Sequence, residues 1–343
     1  MATVKQNILL ADCDAEEVLP FARELCHAGQ GFAVRSHISN WKRSGKFSEL
    51  KRYGKYFLVG FRYFLSRKRY GAIIGWQQFY ALILCFFCRI FRVRKTNMVA
   101  AFNYTYKEKR GKAAALYRWF MRMCLNPEYL DYIHVPSAQY ADAVSREFGY
   151  PRDRILVAPF GVSDVWKEFS SMEAPEGFSK DGYALAIGRS NRDFDFLIRA
   201  WKEIRYPLVI ISDTYQGDTD APNITILRNV VGEDSYPWIA NCGLMVIPID
   251  DGRICSGDTV LLTAMSAARK ILVTEPSTLA EMYIADGENA LLSRKEETAF
   301  RIRAEQALFG GKYETLGARA RSSFLENFSR EAMGQNLSSA INL

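Results

Sequence analysis

The chain has 343 residues, 49% hydrophobic and 24% charged, with a formal net charge of +7. That length exceeds one ordinary core and predicts two domains, and the absence of low-complexity tracts or repeats excludes fibrous and disordered classes. Seven scattered cysteines, an odd number, exclude a disulfide framework and fit a reduced, cytosolic setting.

Short apolar runs alternate with helical stretches from the start. "NILLA" reads as a strand that begins too early for a signal peptide, and residues 15–28 read as a helix ending at Gly29. Strand "FAVRS" follows, then two basic amphipathic helical pieces near 44–69. Strand "AIIG", a helix over 79–91, strand "MVAAF", a helix over 109–124, strand "YIHVP", a helix over 137–148 and strand "RILVAPFG" complete a first series. The apolar helix of about thirteen residues falls short of the roughly 20 needed to span a bilayer. Within it, Cys85-x-x-Cys88 lacks a partner pair and reads as core.

A polar stretch, residues 164–180, reads as a linker into a second series with strands "YALAIG", "LVIIS", "ITILR", "LMVIPI" and "KILVT". Helices over 297–309, 312–327 and 330–340 close the chain. The alternation predicts an α/β protein of two doubly wound parallel-sheet domains facing a cleft, with the C-terminal helices packing back. The expected division is 1–163, linker 164–180, 181–325, and a helical segment 326–343 returning to the first domain.

Charge is unevenly spread. Residues 42–122 hold twenty Lys and Arg against two Glu, interleaved with aromatics as in "KYFLVGFRYFLSRKRY", so the remainder of the chain is net acidic. That pattern suits an anionic membrane surface, with a solvated basic face over an ordinary core as the alternative. No nucleic-acid module signature is visible, so no nucleic-acid partner is expected.

Three segments of the second half carry candidate chemistry. Strand 184–187 ends in Gly188, and Arg189 and Arg192 occupy the turn before a helix, where guanidiniums can grip a diphosphate. The stretch "CSGDTVLLT" opens a helix at Ser256, Gly257, Asp258 and Thr259. Its first N–H groups, at Asp258, Thr259 and Val260, would cradle phosphate, with N-capping by Ser256 or Asp258 as the alternative. "TEPSTLAEMYIADGENALL" then places Glu281 and the turn Asp286-Gly287 after strand "KILVT". In the first half, Asp12 and Asp14 follow the first strand and are candidates for a general base, Asp14 alternatively capping a helix. His37 also follows a strand, whereas His27 reads as complementing a helix C-terminus and His134 as core.

In order, the three segments resemble the C-terminal domain of GT-B glycosyltransferases, most closely family 4, the retaining nucleotide-sugar enzymes. Gly188 and Arg189 match the family's Gly-Arg turn, and Arg192 stands where its diphosphate-binding Lys would be. "CSGDTVLLTAMSAARKILVT" matches the family's Glu-x7-Glu element in spacing, with Cys255 and Thr263 at the two glutamates, and Glu281 lies in register with a later one. "RILVAPFGVSDVW" resembles the domain-joining element at Arg154–Asp164. The resemblance covers roughly residues 130–295. The family's Gly-rich loop after the first strand is absent, as is its active-site His after the fourth strand, where "AAFNYTYK" offers Asn103, Tyr104 and Lys107.

The resemblance implies a metal-independent, retaining transferase with no cofactor, a nucleotide sugar being its donor substrate. Donor contacts would be Gly188, Arg189, Arg192, Ser256, Gly257, Asp258, Thr259, Val260, Thr263 and Glu281. Asp12, Asp14, Arg189 and Arg192 would be catalytic, and His37, Asn103 and Tyr104 would lie on the acceptor side. With the basic segment, this points to a peripheral enzyme on the cytoplasmic face of the cell membrane. It would serve a lipid-linked or polysaccharide acceptor in envelope or exopolysaccharide synthesis. A non-catalytic GT-B scaffold or membrane-binding protein is the alternative, and a sugar-nucleotide epimerase of the same fold fits the basic face less well.

Overall fold

The computed structural model describes residues 5–37, 46–106, 111, 113–254 and 256–341, apart from the side chains of 46–49 and 113. Cys255 and Lys107 therefore lie outside the described residues, as does part of the basic segment. The chain divides into two compact units, residues 1–160 with 330–343, and residues 161–329.

In the first unit the elements run β1 (Gln6–Ala11), α1 (Ala15–Glu24), β2 (Cys26–His27), β3 (Gln30–Ser36), α2 (Lys46–Ser66), β4 (Tyr70–Gly75) and α3 (Gln78–Ile90). They continue through β5 (Met98–Ala101), α4 (Ala113–Cys124), β6 (Tyr132–Val135), α5 (Ala138–Phe148) and β7 (Ile155–Val157). The sheet order is β2-β3-β1-β4-β5-β6-β7, parallel except for the β2–β3 pair. Central strands covered on both faces read as unbroken apolar runs, as Ile8–Ala11 and Ala72–Ile74 do with no exposure at all. The direction of the connections reverses between β1 and β4, which makes the carboxyl ends of those strands the switch point of this sheet.

The second unit begins with α6 (Trp166–Phe169) and continues β8 (Ala184–Ile187), α7 (Phe194–Trp201), β9 (Leu208–Ile211), β10 (Ile224–Leu227), α8 (Tyr236–Asn241) and β11 (Leu244–Ile247). Then follow α9 (Asp258–Ser266), β12 (Ile271–Glu275), α10 (Thr278–Tyr283), β13 (Leu291–Arg294), α11 (Glu297–Phe309) and α12 (Leu316–Asn327). Its sheet, β10-β9-β8-β11-β12-β13, is wholly parallel and follows the 3-2-1-4-5-6 order of dinucleotide-binding folds, with its switch point between β8 and β11.

The last helix, α13 (Arg330–Ile341), belongs to the first unit. Met333, Leu337 and Ile341 are buried with Val18 and Phe21 of α1. Gly334 lets the helices approach closely, since a Cβ there would lie 2.7 Å from the carbonyl oxygen of Phe21.

Several boundaries differ from those read in the sequence. The basic stretch forms one helix, α2, closed by a 3-10 turn at Arg67–Arg69, instead of two pieces. Helix α1 stops at Glu24, so His27 lies in the short strand β2 and not at a helix end. The stretch 164–180 is not a free linker but part of the second unit. There the Asn241 amide donates to the carbonyls of Met172 (3.3 Å) and Glu173 (3.0 Å), and Arg321 holds Asp164 through two bonds of 2.8 and 2.9 Å. Burial pushes the Asp164 carboxyl up, but the Arg321, Ser266 and Trp166 N–H contacts outweigh it and hold it at about 2. Among the described residues no helix is long and apolar enough to cross a membrane.

Candidate functional site

In the second unit, the loops leaving β8, β9, β10 and β11 line a cavity of about 380 Å³ at the switch point of the sheet. Gly188, Arg189, Arg192, Ser256, Gly257, Asp258, Thr259 and Val260 all line it. Eight of the ten expected donor contacts, separated by some seventy residues of chain, are thus brought together. Thr263 lies a turn further into α9 and outside this lining, and Glu281 is exposed on α10. Thr263 therefore puts a neutral hydroxyl at one of the two positions that the resemblance gives to glutamate.

The two arginines differ sharply. Arg189 is 71% exposed, and its Nε donates to Asp213 at 2.8 Å. Arg192 is half-buried, its Nη1 donating to the carbonyls of Asn191 (3.2 Å) and Ser190 (3.3 Å), while its Nε is buried without a partner. Burial drives the Arg192 pKa down to about 10 against the opposing attraction of Asp258. It remains cationic at neutral pH, half-buried and without an ion-pair partner, and such a charge favours a bound anion.

Two glycines make room for it. A Cβ on Gly188 would fall 2.9 Å from Arg192 Nε, and one on Gly257 would fall 2.5 Å from its Nη2. Gly257 also has φ +96°, a conformation that disfavours a side chain in its own right. As the residue before α9 it offers no side-chain cap, and the alternative of capping by Ser256 or Asp258 is not taken up. Ser256 Oγ instead accepts from the Asn191 amide at 2.8 Å. The opening N–H groups of α9 therefore face the cavity uncapped by any side chain, with the positive end of the helix dipole behind them.

Asn191 is the residue that the sequence reading missed. At φ +55°, its amide nitrogen donates to the Asp251 carbonyl (3.1 Å) and to Ser256 Oγ (2.8 Å), while its Oδ1 accepts the Asp251 N–H at 2.7 Å. It ties the arginine loop to the loop before α9. Its signal was the left-handed tolerance of Asn in "GRSNRD". Ser212, Asp213, Val230, Val231 and Ser235 also line the cavity, the two valines adding apolar surface, and no spacing argument pointed to them.

In the first unit, Asp12 stands at the β1/β4 switch point, where its Oδ2 accepts from Tyr56 Oη and Gln77 Nε2, each at 3.1 Å. Asp14 occupies the position before α1, yet its exposed carboxylate makes no cap bond. His37 Nε2 lies 3.0 Å from Tyr63 Oη, and burial, then Arg62 and Lys55, lower its pKa. Asn103 sits at φ +52° with its N–H on His134 Nδ1 at 3.3 Å and its Nδ2 directed to the Trp76 carbonyl at 3.5 Å. Tyr104 corrects the acceptor-side expectation: it is fully buried in the core of this unit, out of reach of any substrate. Among the described residues no group of three His, Cys, Asp or Glu is placed to hold a metal ion.

Helices α2, α3 and α4 expose Leu50, Leu58, Leu65, Ile90, Leu116 and Trp119, with Leu58 reaching 72% exposure. A soluble surface scatters such residues singly, whereas Leu50, Leu116 and Trp119 line one apolar concavity between these three helices.

No family model matches this chain, and no curated protein matches it. Solved structures do. Sucrose-phosphate synthase from Thermosynechococcus elongatus is 13% identical, with a TM-score of 0.64 over 98% of both chains. Anabaena HepE in complex with UDP and glucose is 15% identical, with a TM-score of 0.60 over 97% of this chain and 98% of its own. The lipopolysaccharide outer core galactosyltransferase WaaB, in its apo form, is 13% identical, with a TM-score of 0.60 over 98% of this chain and 99% of its own. The expected fold is the observed one: this chain has the GT-B fold of these glycosyltransferases.

Proposed function

We propose that this chain is a glycosyltransferase that takes a sugar from a nucleotide-sugar donor held in the second unit. The observation that carries this reading is the convergence of a half-buried Arg192, its Nε buried without a partner, and an uncapped α9 N-terminus on one cavity. A nucleoside diphosphate supplies the anion that both require. The fold shared with HepE, which was solved with UDP and glucose, supports the same assignment.

Transfer leaves negative charge on the departing diphosphate. Arg192 and the α9 amides are fixed before reaction, so they stabilise that charge without reorganising, and exposed Arg189 can swing from Asp213 to join them. This electrostatic term serves leaving-group departure without a metal ion or cofactor, and the retaining outcome is proposed from the family 4 resemblance alone. Asp12, anchored by Tyr56 and Gln77, is the acceptor-side base or sugar contact. The acceptor is lipid-linked or a growing polysaccharide of envelope or exopolysaccharide synthesis, as for the relative that builds lipopolysaccharide outer core. The exposed apolar residues of α2 to α4, in a segment so rich in Lys and Arg, suit peripheral attachment to the anionic cytoplasmic face of the cell membrane.

The test is a thermal-shift screen of nucleotide sugars on the full chain, followed by a transfer and hydrolysis assay with each binder. Arg189→Ala combined with Arg192→Ala abolishes turnover if the reading holds. Full activity in that variant refutes it, and binding without turnover of any donor identifies the scaffold alternative instead.

A further inference from the structure

We propose that the apolar trough between α2, α3 and α4 receives the hydrocarbon chain of a lipid acceptor drawn from an anionic bilayer. This rests on the reading of a lipid-linked acceptor and names where its chain lies. The trough measures about 680 Å³ and is walled by apolar and aromatic side chains, among them Phe57, Ile83, Phe86, Leu116 and Trp119. It is a concavity, not merely a patch. Leu116 and Trp119 are 67% and 49% exposed at its rim, while Phe79 and Ile83 lie deeper. An open hydrocarbon-lined groove of this size is unfavourable in water unless an apolar occupant covers it.

Two observations choose a lipid over a protein helix or a second copy. The first is charge: α2, α3 and α4 carry eight Lys and Arg and a single Glu, which complements an anionic bilayer and opposes a second copy of the same face. The second is Tyr56. Its ring stacks on Phe79, 5.8 Å between centroids, as part of the trough wall, while its hydroxyl donates to Asp12 Oδ2 at 3.1 Å. One side chain therefore joins the apolar trough to the carboxylate at the β1/β4 switch point. A lipid whose chain fills the trough has its polar end at Asp12, where an acceptor hydroxyl is needed.

The probe is dodecyl phosphate, kept below its micelle concentration, with ethyl phosphate as the chainless control. Both are titrated by calorimetry into the full wild-type chain and into a Leu116→Ser/Trp119→Ser variant. Both substituted residues are exposed, so the fold is retained, and an unchanged thermal unfolding profile of the whole chain verifies it. We expect dodecyl phosphate to bind the wild type, ethyl phosphate not to bind, and the variant to bind at least roughly tenfold more weakly, since it loses apolar contact along the chain. Pelleting of the variant with phosphatidylglycerol vesicles, retained through Leu58, Leu65 and the basic side chains, would separate the trough from general surface adhesion and support the proposal. Equal affinity in variant and wild type, or no binding by the wild type, overturns it. So does a concentration-dependent dimer that the variant abolishes. Failure of the wild type to bind UDP counts against the donor reading alone, because the chain titration contains no nucleotide.

Discussion

Replacing Arg192 by Met should act in opposite directions on stability and on donor affinity. The guanidinium is half-buried, with its pKa driven from 12.5 to about 10, and that depression corresponds to about 3 kcal/mol of unfavourable burial of the charged form. A lowered folded pKa in a base means the penalty is present in full below pH 10, hence throughout the neutral range. Methionine fills similar space without charge. It forfeits the Nη1 contacts to the Ser190 and Asn191 carbonyls, together worth about 1 kcal/mol at these lengths, leaving a net gain of about 1–2 kcal/mol. For a unit of this size that raises the melting midpoint by about 2–8 °C. The same change removes a charge-assisted contact to the diphosphate, about 2–3 kcal/mol, so UDP affinity should fall roughly 30- to 150-fold. Differential scanning calorimetry without ligand and isothermal titration with UDP read the two effects separately. A variant that melts lower and binds UDP as well as the wild type would refute the assignment of Arg192 as a strained anion-binding group.

Asn191→Ala cuts three side-chain ties between the arginine loop and the α9 loop, and should weaken UDP binding at least roughly tenfold while costing about 2 kcal/mol of stability. Unchanged affinity by titration would mean the loops hold position without it. Asp258→Asn removes a carboxylate from the cavity lining and should tighten UDP binding about threefold, most visibly at low salt. A weakened complex would place Asp258 in contact with a donor hydroxyl instead. His134 is wholly buried, with Nε2 on the Ala158 carbonyl and Nδ1 accepting the Asn103 N–H, and burial lowers its pKa to about 4. The unfolded chain then binds a proton that the folded chain resists. The contribution is absent above pH 6.5 and destabilises progressively as pH falls to 4, by about 1.4 kcal/mol per unit. Urea unfolding across that range should show the slope in the wild type and a shallower one in His134→Gln. Equal slopes would exclude this histidine as the source.

The strands were legible because a parallel sheet buried on both faces demands continuous apolar runs, and "LVII", "LMVI" and "ILV" cannot be mistaken for turns. Arg192, Gly257 and the opening of α9 were legible for a related reason: a glycine-bearing turn between a strand and a helix is where a fold of this kind exposes backbone amides. What was not legible depends on side-chain direction. Arg189 and Arg192 stand three residues apart in one loop, yet one lies open beside Asp213 and the other is enclosed by two glycines from different loops. Tyr104 looked available beside Asn103, but its place just past β5 turns the ring into the core. Residues 164–180 are polar enough to pass for a linker. The Asp164–Arg321 pair, the Asn241 amide, the Val165 N–H on Ser266 and the Phe178–Trp238 ring contact, all made with residues far along the chain, keep them within the second unit. Pairings so distant in sequence leave no trace in local composition.

The charge balance of the cavity explains how an anion site can persist without its anion. Arg189 and Arg192 are matched in the lining by Asp213 and Asp258. These four do not cancel equally. The Arg189–Asp213 pair is exposed, and an exposed pair is worth at most about 1 kcal/mol, so a diphosphate can take Arg189 from it at little expense. Asp258, in the first turn of α9, interacts favourably with the helix dipole and attracts Arg192 without a hydrogen bond between them. Both carboxylates thus act as weak stand-ins for the ligand, steadying two cations whose better partner is a pyrophosphate. Thr263 fits the same scheme. A glutamate there would add a third negative charge close to the start of α9, and a chain that already carries Asp213 and Asp258 at this site holds its electrostatic balance with a neutral hydroxyl.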